Sequence, residues 1–215
     1  MKNNITEVVF ILDRSGSMSG LESDTIGGFN SIIAKQKKEE GRAYVTTVLF
    51  DSHMQRIHDR LDIQNVPKMT EKDYVPRGCT ALLDAVGDTI RHIAHIHKYS
   101  RAEDVPEKTV VIITTDGMEN SSRRYTREKV KKLIEHEQTK YGWEFIFMGA
   151  NIDAAETAGG IGIQPERAAN FIADDDGLEL CMCAVNEVVS SARRREVLDL
   201  AWKANVEKDH SNRYK

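Results

Sequence analysis

Three short clusters of hydroxyl and carboxylate side chains stand where predicted strands end or a predicted helix begins. The first has an aspartate and two serines at alternate positions, the second has a threonine and the third an aspartate. The five residues are Asp13, Ser15, Ser17, Thr80 and Asp116. Because ligands bind at the carboxyl ends of the strands in an open parallel sheet, we expect these side chains to meet at one sheet edge. Hard oxygen ligands select Mg²⁺, Mn²⁺ or Ca²⁺ over zinc or copper.

The Asp-x-Ser-x-Ser spacing of the first cluster suits a tight loop. Alternate side chains can turn toward one point, and Gly16 permits the bend. Two aspartates would about cancel the 2+ charge of the ion, while neutral hydroxyls would add ligands without adding charge. The ion would stay electrophilic, so the pattern predicts a site that accepts one more negative ligand from outside the chain.

Strand-like and helix-like segments alternate along the chain. Short apolar or β-branched runs predict strands at 8–12, 43–50, 54–61, 109–115, 143–148 and 168–172. Apolar residues at helical spacing predict helices at 26–40, 80–97, 126–141 and 154–160, and a C-terminal helix at about 176–205. Only three residues separate the second and third strands, which predicts an antiparallel hairpin. The alternation predicts an α/β fold with helices on both faces of a mostly parallel sheet, in which five strands are parallel and strand 54–61 is antiparallel at one edge.

Length and composition limit the classes to which the protein can belong. With 215 residues, 40% hydrophobic and 30% charged, it is predicted to form a single domain over 1–215. Its apolar runs are too short to span a bilayer or to form a signal peptide, so we expect no membrane association. The net charge of −4 argues against nucleic acid as a partner. Three cysteines are an odd and sparse set, which favours a reducing compartment such as the cytoplasm.

The sequence around the three clusters resembles the metal-ion-dependent adhesion site (MIDAS) of von Willebrand factor type A domains. The stretches that carry the resemblance are Val-Val-Phe-Ile-Leu-Asp-Arg-Ser-Gly-Ser-Met from position 8, Gly-Cys-Thr-Ala-Leu-Leu-Asp-Ala from position 78, and Ile-Thr-Thr-Asp-Gly-Met-Glu-Asn-Ser-Ser from position 113. The three motifs follow in the family's order, each at the expected element boundary, and the resemblance covers nearly the whole chain. It implies a Rossmann-like three-layer sandwich with a six-stranded sheet.

The resemblance also implies a function and a ligand set. Asp13, Ser15, Ser17, Thr80 and Asp116 would hold one divalent ion, usually Mg²⁺, with Mn²⁺ or Ca²⁺ as alternatives. An Asp or Glu of a protein partner would complete the coordination of the ion. Cys79 departs from the family, in which glycine is frequent at this position. Nothing in the sequence resembles the extra domains of large secreted adhesion proteins, so the resemblance is to a stand-alone bacterial or phage-type member.

Two other functions remain open from the residues. Asp13 after a first strand, with Asp116 at another strand end, resembles Mg²⁺-dependent hydrolases or phosphotransferases of the haloacid dehalogenase type, which use a nucleophilic aspartate. Ser15 stands where their phosphatases have a second acid, and the chain has no P-loop, nucleophile-elbow or dinucleotide-binding motif, so we expect no enzyme. The third function is a scaffold without a working metal site. It would bind a partner through the arginine run at 193–195, which is otherwise expected to be a solvated helix face.

Two other groups of potential metal ligands, one of histidines and one of cysteines, are not expected to bind a metal. Three histidines lie between 92 and 97, and the spacing of His92 and His95 would allow a metal pair. Without an acid at an obvious position, a solvated helix flank is expected instead. Cys181 and Cys183 form a Cys-x-Cys pair, but a structural zinc site requires four ligands and the sequence has no matching second pair.

Overall fold

A computed structural model describes residues 4–214, which contain one six-stranded sheet. The strands are β1 (Ile5–Asp13), β2 (Arg42–Phe50), β3 (Met54–Asp62), β4 (Lys108–Thr115), β5 (Glu144–Gly149) and β6 (Ala168–Asn170). They lie in the order β3-β2-β1-β4-β5-β6. β2 and β3 pair antiparallel, and every other neighbouring pair is parallel. The predicted hairpin, with its second strand at one edge of a five-stranded parallel sheet, is confirmed.

Helices cover both faces of this sheet. They are α1 (Glu22–Gln36), α2 (Leu82–Tyr99), α3 (Arg127–Tyr141), α4 (Ala154–Gly160), α5 (Asp175–Arg194) and α6 (Ala204–Arg213). Alternate side chains of β1 enter two separate cores: Val8 and Phe10 pack with α1 and α5, whereas Val9 and Ile11 pack with α2 and α3. The central strands β1, β4 and β5 contain continuous apolar runs because both of their faces are buried. The three-layer α/β sandwich is confirmed.

The helix predicted at 176–205 is two helices with an irregular connection between them. α5 ends at Arg194 because Arg195 adopts a left-handed conformation, with φ of 61°. The apolar pattern continues through Leu198 and Trp202, and both side chains are buried, but they reach the core from a loop and a 3₁₀ turn. Burial alone therefore did not distinguish a helix from a packed loop. Within 4–214, no helix is both long and apolar enough to cross a membrane.

Only part of the arginine run at 193–195 lies on a solvated face, because Arg194 and Arg195 are exposed and Arg193 is not. Arg193 is buried, and its guanidinium donates hydrogen bonds to the main-chain carbonyls of Gln36, Glu39, Glu40 and Gly41. These carbonyls lie at and just beyond the end of α1, where a helix leaves its last acceptors without partners. Arg194 pairs with Glu39, and Arg195 pairs with Glu107. The expectation of a solvated face is therefore wrong for Arg193 and holds for Arg194 and Arg195. All three arginines have partners within the chain, which weakens the scaffold hypothesis.

The three histidines of α2 have different surroundings. His92 Nε2 lies 2.8 Å from Asp59 Oδ1, and His95 is exposed. His97 Nε2 lies 3.3 Å from a carboxylate oxygen of Glu7, which is fully buried in β1. The expected solvated flank is therefore wrong for His97, because the end of α2 covers this buried acid. Among residues 4–214, no cluster of three or more His, Cys, Asp or Glu side chains forms a metal site.

Candidate metal site

The five residues predicted to bind a metal lie at the carboxyl edge of the sheet. Asp13 is the last residue of β1, and Asp116 directly follows β4. β1 and β4 are paired in the sheet, so these two loops leave it side by side. A 3₁₀ turn at Gly16–Met18 folds the first loop over the sheet edge, and Thr80 lies just before α2.

Short distances join the side chains of the three loops. Ser17 Oγ donates a hydrogen bond to Asp116 Oδ1 at 2.7 Å and lies 3.1 Å from Ser15 Oγ. Thr80 Oγ1 and Ser17 Oγ each lie 3.7 Å from the position that a β-carbon on Gly117 would occupy. The structure therefore places both serines, the threonine and Asp116 around one point at the mouth of the three loops.

Asp13 enters the same cluster from below and is held firmly. Its Oδ1 accepts a hydrogen bond from the Ser15 amide at 2.7 Å, and its Oδ2 accepts one from Thr115 Oγ1 at 2.6 Å. The buried Tyr74 hydroxyl donates to the Asp13 carbonyl at 2.5 Å. Both supporting residues lie outside the predicted ligand set. Thr115 carried a signal, because it is the hydroxyl residue next to Asp116, whereas nothing in the sequence pattern placed Tyr74 here.

The two carboxylates carry charge that the protein does not balance. Asp13 and Asp116 are 1% and 2% exposed. Burial raises the pKa of Asp13 to about 6, with a smaller contribution from the nearby charge of Asp116. Burial also raises the pKa of Asp116. Among residues 4–214, no basic side chain forms an ion pair with either carboxylate, and none is among the main causes of either shift. The surrounding oxygens and the unbalanced negative charge fit a hard divalent cation.

The loop at 117–125 fixes the position of Thr80 and the start of α2. Asn120 Oδ1 accepts a hydrogen bond from the Thr80 amide at 2.9 Å, and Glu119 Oε2 accepts one from the Leu83 amide at 2.8 Å. Amides in the first turn of a helix have no acceptor within the helix, so this loop supplies the missing acceptors. The Glu119 carboxylate is in turn oriented by the amide and hydroxyl of Ser122.

Asp84, in the first turn of α2, accepts hydrogen bonds from the same loop. Its carboxylate accepts hydrogen bonds from the amides of Arg123, Arg124 and Tyr125 at 2.9–3.0 Å. Its own amide donates to Ser122 Oγ at 3.0 Å. Hydrogen bonds therefore connect the start of α2 and the 117–125 loop in both directions, with acceptors on each segment. Sequence analysis did not predict this network, because it depends on loop conformations that no hydrophobic pattern reports.

On the other side, the turn after β2 supports the segment that leads to Thr80. The Asp51 carbonyl accepts a hydrogen bond from the Ala81 amide at 3.0 Å, and Ser52 Oγ accepts one from the Cys79 amide at 2.9 Å. Gly78 has a φ of +67°, and a β-carbon there would lie 2.8 Å from Ser52 Oγ, so this position requires glycine. Cys79 is exposed, and its side chain fits where the family often has glycine.

Structure comparison finds the same architecture in several solved proteins. Proximal thread matrix protein 1 from the mussel byssus, with a zinc-occupied MIDAS motif, matches with a TM-score of 0.58 and 17% identity over 86% of this chain and 46% of its own. The manganese-loaded TRAP protein of Plasmodium vivax matches with a TM-score of 0.59 and 17% identity over 83% and 72% of the two chains. A von Willebrand factor type A structure from Catenulispora acidiphila matches with a TM-score of 0.56 and 14% identity over 87% of this chain and 42% of its own.

The chain has the von Willebrand factor type A fold. The type A fold expected from the three motifs is thereby confirmed, including the mostly parallel sheet with one antiparallel edge strand. This chain spans less than half the length of the byssus and Catenulispora proteins. A scan against protein-family models and a search of curated proteins find no match.

Proposed function

We propose that the type A fold of this chain is an interaction module, in which a divalent cation docks an acidic side chain of a protein partner. The observation that carries the proposal is the convergence of two buried carboxylates and three hydroxyls, where no basic side chain of the described part of the chain forms an ion pair with either carboxylate. A buried charge is costly unless it is paired or coordinates a metal. The zinc and manganese named for the byssus and Plasmodium structures support a divalent ion in this position.

Asp13, Ser15, Ser17, Thr80 and Asp116 would hold this ion, and we propose Mg²⁺, with Mn²⁺ or Ca²⁺ as alternatives. All five donors are hard oxygens, and the set contains no thiolate or imidazole that would favour zinc. When bound, the ion supplies a Lewis-acidic centre for an incoming carboxylate. The two aspartates about neutralise its charge, so an outside anion remains attractive.

The protein's own residues prepare and expose the site. Thr115 and the Ser15 amide fix the Asp13 carboxylate, and Ser17 is hydrogen-bonded to Asp116, so the ligands are oriented before any ion arrives. Ser17 is exposed at the mouth of the site. Gly117 has no side chain beside Ser17 and Thr80, which leaves this approach open to a partner.

Titration calorimetry with MgCl₂ and MnCl₂ tests the metal site. We expect a binding heat for the wild type and none for Asp13→Ala or Asp116→Ala, because each variant removes one of the two charges that attract the ion. Asp59→Ala is the matched control, since it removes an exposed aspartate from β3 and should bind the ion normally. Unchanged heats in both site variants would refute the metal proposal.

A pull-down from native lysate tests the interaction. Wild-type and Asp116→Ala baits are compared in Mg²⁺ and in chelator. We expect a partner that is retained only by the wild type in Mg²⁺. A partner bound equally in chelator and by the variant would favour a scaffold without a working metal. Mg²⁺-dependent phosphatase turnover that Asp13→Asn abolishes would favour an enzyme instead.

A further inference from the structure

Two exposed side chains lie in the loops that carry the candidate metal ligands. Arg77 has 61% of its side chain exposed and lies before the Thr80 segment. Met118 is 73% exposed and lies two residues after Asp116. An arginine and a large apolar residue at the rim of a proposed docking site are the residue types that interfaces favour.

Arg77 carries a positive charge that its neighbours do not neutralise. Its Nε lies 3.1 Å from Asp51 Oδ2, and Arg14 Nε lies 3.0 Å from the same oxygen. Two guanidinium groups thus share one buried carboxylate, which leaves a net charge of about +1. Within 4–214, the terminal nitrogens of Arg77 have no hydrogen-bond acceptor. The exposed ring of His53, 3.8 Å from Asp51, adds no negative charge.

Backbone contacts place the main chain of Arg77 beside the loop that carries Ser15 and Ser17. The Arg77 amide donates to the Arg14 carbonyl at 2.9 Å, and the Gly16 amide donates to the Gly78 carbonyl at 3.1 Å. Residues 77–78 therefore run alongside the loop that follows β1, next to Ser15. The hydrogen bond to Asp51 restrains the Arg77 side chain at Nε and leaves the two terminal nitrogens of the guanidinium group available to a ligand.

Met118 adjoins the cluster through the loop that follows β4. The preceding Gly117 faces both Ser17 Oγ and Thr80 Oγ1 at 3.7 Å from its β-carbon position. Arg77 and Met118 thus adjoin the candidate ligands from two different loops, one before Thr80 and one after Asp116.

We propose that Arg77 and Met118 are specificity residues, and that the partner presents a peptide segment with two acidic residues and one apolar residue. One acid reaches the ion, the second pairs with Arg77, and the apolar residue packs on Met118. This inference rests on the proposed function, because the first acid requires the metal site. It goes beyond that function by defining the partner's sequence chemistry.

Selection of random displayed peptides on the immobilised protein, in Mg²⁺ with elution by chelator, tests the inference. We expect the eluted peptides to share two acidic residues and one apolar residue. One selected peptide is then synthesised, with a version in which the second acid is replaced by its amide. The amide version should bind the wild type about three- to fivefold more weakly, the range of a partly exposed ion pair.

Three variants separate the contributions. Arg77→Gln should bind both peptide versions equally weakly, and Arg77→Lys should recover part of the preference. Arg101→Gln is the charge-matched control, because Arg101 is exposed in the loop before β4, at the far end of the sheet, and should leave the preference unchanged. Met118→Ser should reduce enrichment of the apolar residue while the second acid stays enriched.

The outcomes distinguish the two proposals. Peptides that chelator releases, but that contain one acid only or bind Arg77→Gln as tightly as wild type, would overturn the inference and leave the metal-dependent module intact. If chelator releases no peptide and Mg²⁺ gives no binding heat, the proposed function itself fails. Normal Mg²⁺ heat in Arg77→Gln is required, because it shows that the Thr80 segment has kept its position.

Discussion

Replacing Asp13 by asparagine should stabilise the ion-free protein, and this advantage over wild type should shrink or change sign once Mg²⁺ is present. Asparagine keeps the shape of the side chain and removes its ionisation. The Ser15 amide can still donate to the new side-chain oxygen. The Thr115 hydroxyl can donate to the Gly117 carbonyl, 3.1 Å away, while the asparagine amide donates to Thr115 Oγ1. The variant therefore loses charge without leaving a polar atom unpaired.

The size of the effect comes from the pKa of Asp13, which burial raises from 3.8 to about 6. A shift of this size corresponds to about 3 kcal/mol between the two protonation states. The folded protein holds this proton more tightly than the unfolded chain. Stability of the ion-free wild type therefore falls as pH rises from about 4 to about 6, and the whole cost is present above about pH 6. The asparagine variant lacks this dependence from position 13.

Urea denaturation in chelator and in excess Mg²⁺ measures the effect. In chelator at about pH 7.5, we expect the variant to be more stable than wild type by up to about 3 kcal/mol. Mg²⁺ at about 100 times its Kd should add about 2.7 kcal/mol to the wild type and nothing to the variant. The stability difference should thus shrink or change sign on adding Mg²⁺. A variant less stable than wild type in chelator, or stabilised equally by Mg²⁺, would refute the reasoning.

Three further perturbations have separate readouts. Asn120→Ala removes the acceptor of the Thr80 amide and should weaken Mg²⁺ binding by about tenfold in calorimetry, an effect of about 1.4 kcal/mol, and unchanged affinity would contradict it. Arg193→Met should lower the free energy of unfolding, measured in urea, by about 3 kcal/mol, because main-chain carbonyls lose their donor. The heat of Mg²⁺ binding should stay normal in this variant. A loss of stability under about 0.5 kcal/mol would show that water replaces the guanidinium. Gly78→Ala should lower both stability and Mg²⁺ affinity, because its positive φ and the close Ser52 Oγ disfavour a β-carbon, and wild-type behaviour in both assays would refute this.

The main features of the fold and the convergence of the candidate ligands followed from the sequence. Apolar runs identified the buried strands, and their parallel order brought Asp13 and Asp116 to one edge. These predictions succeed because burial and strand direction are encoded in short, repeated patterns. The ligand roles of the five residues remain predictions.

What the sequence did not reveal depends on contacts between distant segments. Asp51 serves both Arg14 and Arg77, and Asp84 accepts three amides from another loop, yet each reads as an ordinary surface aspartate in the sequence. Arg193 looked like part of a solvated charge run because the end of α1 is far away along the chain. Position in the fold, and not residue type, decides the role of such side chains.

The cross-linked loops around Asp84 and Glu119 have a consequence for how the site would respond to metal. Acceptors on α2 hold the 117–125 loop, and acceptors on that loop hold the start of α2, so the loss of one bond leaves the others in place. Such a frame is rigid before the ion arrives, and little conformational entropy remains to be lost on binding. The ion then changes the charge at the mouth of the site more than it changes the shape. The surface potential at the site would therefore change in a graded way with the free metal concentration. The metal-free and metal-bound states would share one folded conformation.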